Sequence, residues 1–196
     1  MTTQTRRTLI ATALATGTGV AVAAKAEAVP TAETSAVDPH RDGAHDFDFL
    51  IGDWNAHVRR LPNRLVGSTD WIAYDGISNH KKILDSNANF EEFDVRSPEK
   101  NLRIKAQTLR LYNPQSHQWS IYLVDVDKGT LGLPPVVGQF TDGRGEFFDQ
   151  EEWNGRAILV RYMWLSISSS AARMEQSFSP DGGKTWEVNW ICELSR

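Results

Sequence analysis

The stretch His45–Arg60, HDFDFLIGDWNAHVRR, decides the reading of this chain. Phe47, Phe49, Leu50 and Ile51 put more large apolar side chains together than an exposed loop tolerates, so the segment is expected to plug something. Their spacing mixes steps of two with steps of three and four, which fits one helical turn as well as an extended arm. Gly52 lets the backbone bend or pass close to a neighbouring strand. Trp54 offers the largest apolar side chain for closing the base of a barrel, with an indole N–H that needs a partner. From Asn55 the chain reads as a first strand.

Working outward, the signals after Trp54 are those of an antiparallel meander. Asn55–Leu61 stops at Pro62-Asn63, and Thr69–Leu84 follows with Gly76 as an expected bulge or bend. Further strands are expected at 89–96, 102–112, 119–125, 136–140, 145–153, 157–167, 171–178 and 186–194. Turn residues separate them, and Asn154-Gly155 is the strongest hairpin signal because both residues tolerate positive φ. Asp127–Pro135 is the longest expected loop. Such spacing, with no helix after Ile51, predicts an all-β fold: one antiparallel barrel of about ten strands behind a short N-terminal helical turn.

Before His45 the chain changes character. Arg6-Arg7, an apolar Ala-rich run to about Ala24, and small residues at Ala24-Lys25-Ala26 and Ala26-Glu27-Ala28 make a twin-arginine export signal over residues 1–28. An ordinary secretory signal or a retained anchor is the alternative, although the run is short and weakly apolar for a membrane span. Residues 29–43 are rich in Pro, Thr, Ala and acidic side chains and read as a disordered tether, leaving 44–196 as the domain. The mature protein is therefore expected outside the cytoplasm, periplasmic or secreted. Removing residues 1–28 takes away Arg6, Arg7, Lys25 and Glu27 and moves the formal charge from −4 to −6. An acidic exported chain argues against nucleic acid or an anionic membrane surface as partner. Cys192 is the single cysteine, so no internal disulfide forms, and in an apolar strand it acts as a small hydrophobe.

The chemistry of the candidate residues is less specific. Seven tryptophans can either fill a barrel or line an apolar pocket for a flat or greasy ligand. The expected ligand contacts are Trp54, Trp71, Trp119, Tyr122, Trp164 and Trp190. Five histidines (His40, His45, His57, His80 and His117) show no H-x-H or H-x-x-x-H pair on one element, so no metal site is expected. Of these, His57 is placed inside a strand and facing outward, with His80 and His117 near strand ends. Nucleophile and phosphate-loop motifs are missing. Adjacent carboxylates such as Glu151-Glu152 point to opposite faces of a strand and make poor acid–base pairs. Arg110, Tyr122, Arg161 and Glu175 are the candidate catalytic residues, being polar groups inside apolar strands. Arg161 and Glu175 lie on consecutive strands, and an internal ion pair between them is the simplest arrangement.

Ser179-Pro180-Asp181-Gly182-Gly183-Lys184-Thr185-Trp186 matches the Asp-box of sialidase-like propellers. Propellers repeat that motif and this chain carries it once, so it reads as a hairpin brace.

Taken together, FDFLIGDW at 47–54, LRLYNP at 109–114, WSIY at 119–122 and SPDGGKTWEVNW at 179–190 span nearly the whole domain. With these motifs the chain resembles the lipocalin-like (calycin) superfamily, and within it an exported branch of bacterial domains of unknown function. The resemblance implies a β-barrel with a central cavity. It leaves two readings of activity: binding a small hydrophobic or aromatic molecule, or a lipocalin-fold enzyme (isomerase, cyclase or lyase) acting on one. Nitrobindins, more distant relatives, hold haem through a histidine near the C-terminus. The last strand here, Trp186–Arg196, has none, so haem and other cofactors are not expected.

Overall fold

Strand after strand, the turns send the chain back beside its predecessor until the sheet meets itself. The computed structural model describes residues 41–84 and 86–196. The expected export signal and residues 29–40 of the expected tether lie outside the described residues. Ten strands make the closed ring: β1 (Gly52–Arg60), β2 (Ile72–Lys82), β3 (Ala88–Ser97), β4 (Leu102–Asn113), β5 (Gln118–Asp125), β7 (Val136–Thr141), β8 (Arg144–Trp153), β9 (Arg156–Leu165), β10 (Ala171–Ser179) and β11 (Glu187–Ser195). Each pairs antiparallel with its neighbours, and β1 closes the ring on β11. A two-residue strand, β6 (Thr130–Leu131), pairs only with β5 outside the ring and sits within the loop expected at 127–135. Among the described residues no helix is long and apolar enough to cross a membrane.

Closure leaves the usual two-residue alternation in charge of which side chains face inward. On β1, Trp54, Ala56 and Val58 are buried while Asp53, Asn55 and His57 are exposed. The hairpin turns carry the conformations their residues favour. Asn154 and Gly155 have φ of 51° and 76°, and Asp142 and Gly143 have 52° and 74°. Gly76 departs from expectation. It is no bulge but stays in register with Ala56 and Val95. The register shift lies instead at Gln176/Ser177 on β10.

One end of the barrel is stoppered by the segment before β1. A single 3-10 turn, Asp48–Leu50, aims Phe47 and Leu50 inward, and both are completely buried. The Phe47 ring meets Trp119 at 5.1 Å, Phe140 at 4.9 Å and Trp164 at 5.8 Å, mostly edge to face. Burying these two side chains contributes roughly 1.5–3 kcal/mol apiece. The indole N–H groups find backbone acceptors in the plug: Trp54 donates to Leu50 O at 2.7 Å and Trp119 to Gly43 O at 2.9 Å. Packing therefore starts a little before Ala44, and Tyr112 Oη also accepts the Gly43 N–H at 3.0 Å. The C-terminus locks the plug, with Arg196 lying over Trp54 at 3.9 Å and donating to Ile51 O and Phe49 O. Gly52 passes under that arginine with φ of 120°, where a Cβ would sit 2.8 Å from its Nη1. Only glycine fits there.

The lone Asp-box braces the β10–β11 hairpin. Asp181 accepts from Thr185 N at 2.9 Å, Thr185 Oγ1 at 2.7 Å and Ser179 Oγ at 2.8 Å, and Trp186 donates back to Gly183 O. Asp181→Ala removes the acceptor of the first three of these bonds. Hydrogen exchange at the Thr185 amide is expected to rise about tenfold while exchange in β1 stays unchanged. An unaltered Thr185 rate would mean the loop holds itself without the carboxylate.

Candidate functional site

Between the plug and the far end lies a cavity of about 330 Å³, at the lower end of the range for small-ligand sites. Its walls follow from the inward register of each strand. β4 contributes Ile104, Ala106, Thr108 and Arg110, β3 Glu91 and Phe93, and β9 Tyr162 and Trp164. Met174, Gln176, Trp190, Cys192 and Leu194 come from β10 and β11. Ile121 and Leu123 of β5 are shared with a second pocket of about 460 Å³ beneath the Gly132–Val136 segment.

At the plug end the cavity meets a buried polar ring. Arg110 Nη2 donates to Glu91 Oε2 at 2.6 Å, and Nη1 reaches Asn89 Oδ1 at 3.1 Å and His80 Nδ1 at 3.3 Å. Ser78 Oγ donates to Glu91 Oε1 at 2.7 Å and lies 2.8 Å from His80 Nε2. Only one proton arrangement satisfies all of these. His80 is neutral with its proton on Nε2, donating to Ser78, while Nδ1 accepts from Arg110. Burial, first, and the Arg110 charge push the His80 pKa down to about 4, against the pull of Glu91. Burial alone would raise the Glu91 carboxyl. The Arg110 charge, then His80, then the Ser78 and Arg110 hydrogen bonds outweigh it and bring it to about 2. Glu91 is thus a firm anion, and its charge is matched inside the barrel. Burial raises the Cys192 thiol, which marks it as an apolar wall residue and not a thiolate.

The opposite end is charged differently. Arg60 occupies the inward register of β1 at its last residue, and Arg64 folds in from the β1–β2 connection. Arg64 lies over Trp153 at 5.0 Å and Phe178 at 4.8 Å. On the same face of β8 as Trp153, Asp149 and Glu151 pair with Val160 and Ile158 and line the second pocket. Burial raises both carboxyls, and the Asp149 charge raises Glu151 further.

Of the residues singled out in the sequence, Arg110, Trp164 and Trp190 line the cavity. Trp54 and Trp119 belong to the stopper. Trp71 precedes β2 and is 36% exposed. Tyr122 alternates with Ile121 and Leu123, so it faces away from the lumen. Arg161 and Glu175 also face outward and do not pair with each other. Arg161 stacks on Trp186 at 4.4 Å near Glu146, while Glu175 binds Arg173 at 2.6 Å. His57 faces outward as expected and meets Asp75 at 2.7 Å. Sequence reasoning passed over Ser78, Asn89 and Glu91, with Arg60 and Arg64 at the mouth, and placed His80 only near a strand end. Counting by twos from Tyr74 through Gly76 and Ser78 to His80 would have turned that histidine inward. Among the described residues no three of His, Cys, Asp and Glu converge as a metal site requires.

No protein-family model matches the chain, and no curated protein matches it. The structure is similar to that of an S-type phycobiliprotein lyase from Guillardia theta. The TM-score is 0.53 at 12% identity, over 81% of this chain and 94% of that one. At that identity the likeness concerns the fold, and together with the closed ten-stranded barrel it fits a lipocalin-like, calycin-type architecture.

Proposed function

We propose that this protein is exported and binds a small hydrophobic or aromatic molecule inside its barrel. One observation carries the reading: the cavity wall is mostly apolar and aromatic, while the charges at its floor, Arg110 and Glu91, already neutralise each other. A site so arranged gains from excluding water around an apolar body and offers no idle base or nucleophile at that end. Native mass spectrometry of protein purified from its own host tests it. A co-purifying small molecule, released on unfolding, is the expected result. An empty barrel from every growth condition, with no stabilisation by any apolar probe, would end the binding reading.

Export has its own test. Replacing Arg6 and Arg7 together with lysine is expected to leave the chain unprocessed in the cytoplasm, read by fractionation and intact mass. Normal processing of that variant would point to an ordinary secretory signal.

The second reading, a lipocalin-fold isomerase, cyclase or lyase, draws on Asp149 and Glu151. Two neighbouring carboxyls in the wall of the second pocket, both raised by burial, are candidates for proton transfer. Once a bound molecule is known, Glu151→Gln separates the two readings. A carrier keeps its ligand unchanged, whereas an enzyme keeps binding and stops converting it.

A further inference from the structure

We propose that the ligand is an amphiphilic carboxylate, its acid head held by Arg60 and Arg64 at the mouth and its apolar body running inward towards Trp164. This rests on the binding reading above and adds the charge of the ligand and its direction in the barrel.

Three guanidinium groups reach the cavity wall, and they differ in what they have to pair with. Arg110 is matched by Glu91, the one carboxylate in the wall of this cavity among the described residues. Arg60 and Arg64 have no ion-pair partner among the described residues. Arg64 donates from Nε to Leu61 O at 3.3 Å, which leaves both terminal nitrogens uncommitted. Its Cζ lies 5.0 Å from the Trp153 ring and 4.8 Å from the Phe178 ring, so the guanidinium rests against an aromatic wall while its terminal nitrogens stay free for an anion. The neighbouring Arg60 charge adds to the cost of burying Arg64, and an anion between the two relieves both.

A further donor is already inside. Tyr162 is 4% exposed and lines the cavity, and its hydroxyl has no hydrogen-bond partner among the described residues. The competing anions are accounted for. Glu187 accepts the Leu65 N–H at 2.7 Å, and its charge reaches Arg64 without forming an ion pair with it. Glu151 sits two residues from Trp153 on the same face of β8, and its charge acts on Arg64 without forming an ion pair with it. Past the mouth the wall turns apolar with Phe93, Trp190, Ile104 and Trp164, which suits a tail or ring and not a second charge.

The test uses matched probes that differ only at the head: decanoate against decanol, and 2-naphthoate against 2-naphthamide. Binding is read from the fluorescence of the cavity tryptophans. Each carboxylate is expected to bind at least about tenfold tighter than its neutral partner at low salt, with the gap shrinking as salt is added. Arg60→Gln and Arg64→Gln should each narrow the gap without weakening the neutral probe. Arg64→Lys should retain part of it, and Glu151→Gln should widen it several-fold. Neutral probes binding as tightly as the acids would overturn the carboxylate assignment while leaving the cavity-binding reading intact. Failure of every probe, charged or neutral, would remove both.

Discussion

Glu91→Leu is expected to destabilise the barrel by about 3–5 kcal/mol, because it leaves the Arg110 cation buried with no counter-charge. Arg110 is 3% exposed and cannot swing out to water, since its guanidinium lies 5.3 Å from the Phe47 ring and 5.8 Å from the Trp164 ring beneath the plug. The same substitution strips the acceptor from Ser78 and so loosens His80. Against a total stability on the order of 5–15 kcal/mol, such a loss is a large fraction. The double variant Glu91→Leu/Arg110→Met should recover most of it, since replacing both members of a buried pair with apolar groups is often neutral. Urea midpoints of the two single variants and the double variant give the coupling energy directly. If Glu91→Leu alone unfolds within 1 kcal/mol of the parent, on the same scale of effect, the ring is not the closed network its distances describe.

That ring also shows where sequence reading stops. The β1 face was legible because only one side of it is apolar: Trp54, Ala56 and Val58 alternate with Asp53, Asn55 and His57. On β9 both sides are apolar or bulky. Val160, Tyr162 and Trp164 face in, yet outward-facing Met163 is buried too, so a two-residue period cannot say on which side Arg161 falls. Tyr122 and Glu175 fail as lumen residues for the same reason: their strands carry large groups on both faces. The plug was readable from sheer density of phenylalanine around Gly52-Asp53-Trp54. Trp71 was misplaced because composition alone cannot separate a wall tryptophan from one at a strand entrance. The mouth arginines escaped notice for another reason. Arg60 follows the β1 alternation, but Arg64 comes from a connection whose path only the folded chain reveals.

Acid should weaken the fold in two adjoining steps, and the ring supplies both. His80 is held near pH 4 in the barrel, below the 6.5 of an unhindered imidazole. As pH falls through 6.5 the unfolded chain therefore gains a proton that the folded chain refuses, and stability drops until about pH 4. Glu91 behaves with the same sign lower down. Its folded value near 2 lies below the 4.5 of a free carboxyl, so stability present above 4.5 is lost between there and 2. The two losses overlap and do not add, because His80 and Glu91 act on each other. His80→Gln keeps a donor towards Ser78 and cannot titrate, so it should flatten the upper window and shrink the lower one by the part that the His80 charge contributes. Urea midpoints measured from pH 7.5 to 3 discriminate sharply. A parent protein whose midpoint does not change between pH 7 and 5, or a His80→Gln variant as pH-sensitive as the parent there, would mean that His80 takes its proton in the barrel as readily as in the unfolded chain. With that proton in place both ring nitrogens are donors, Nδ1 can no longer accept from Arg110, and the hydrogen-bond ring as drawn cannot exist.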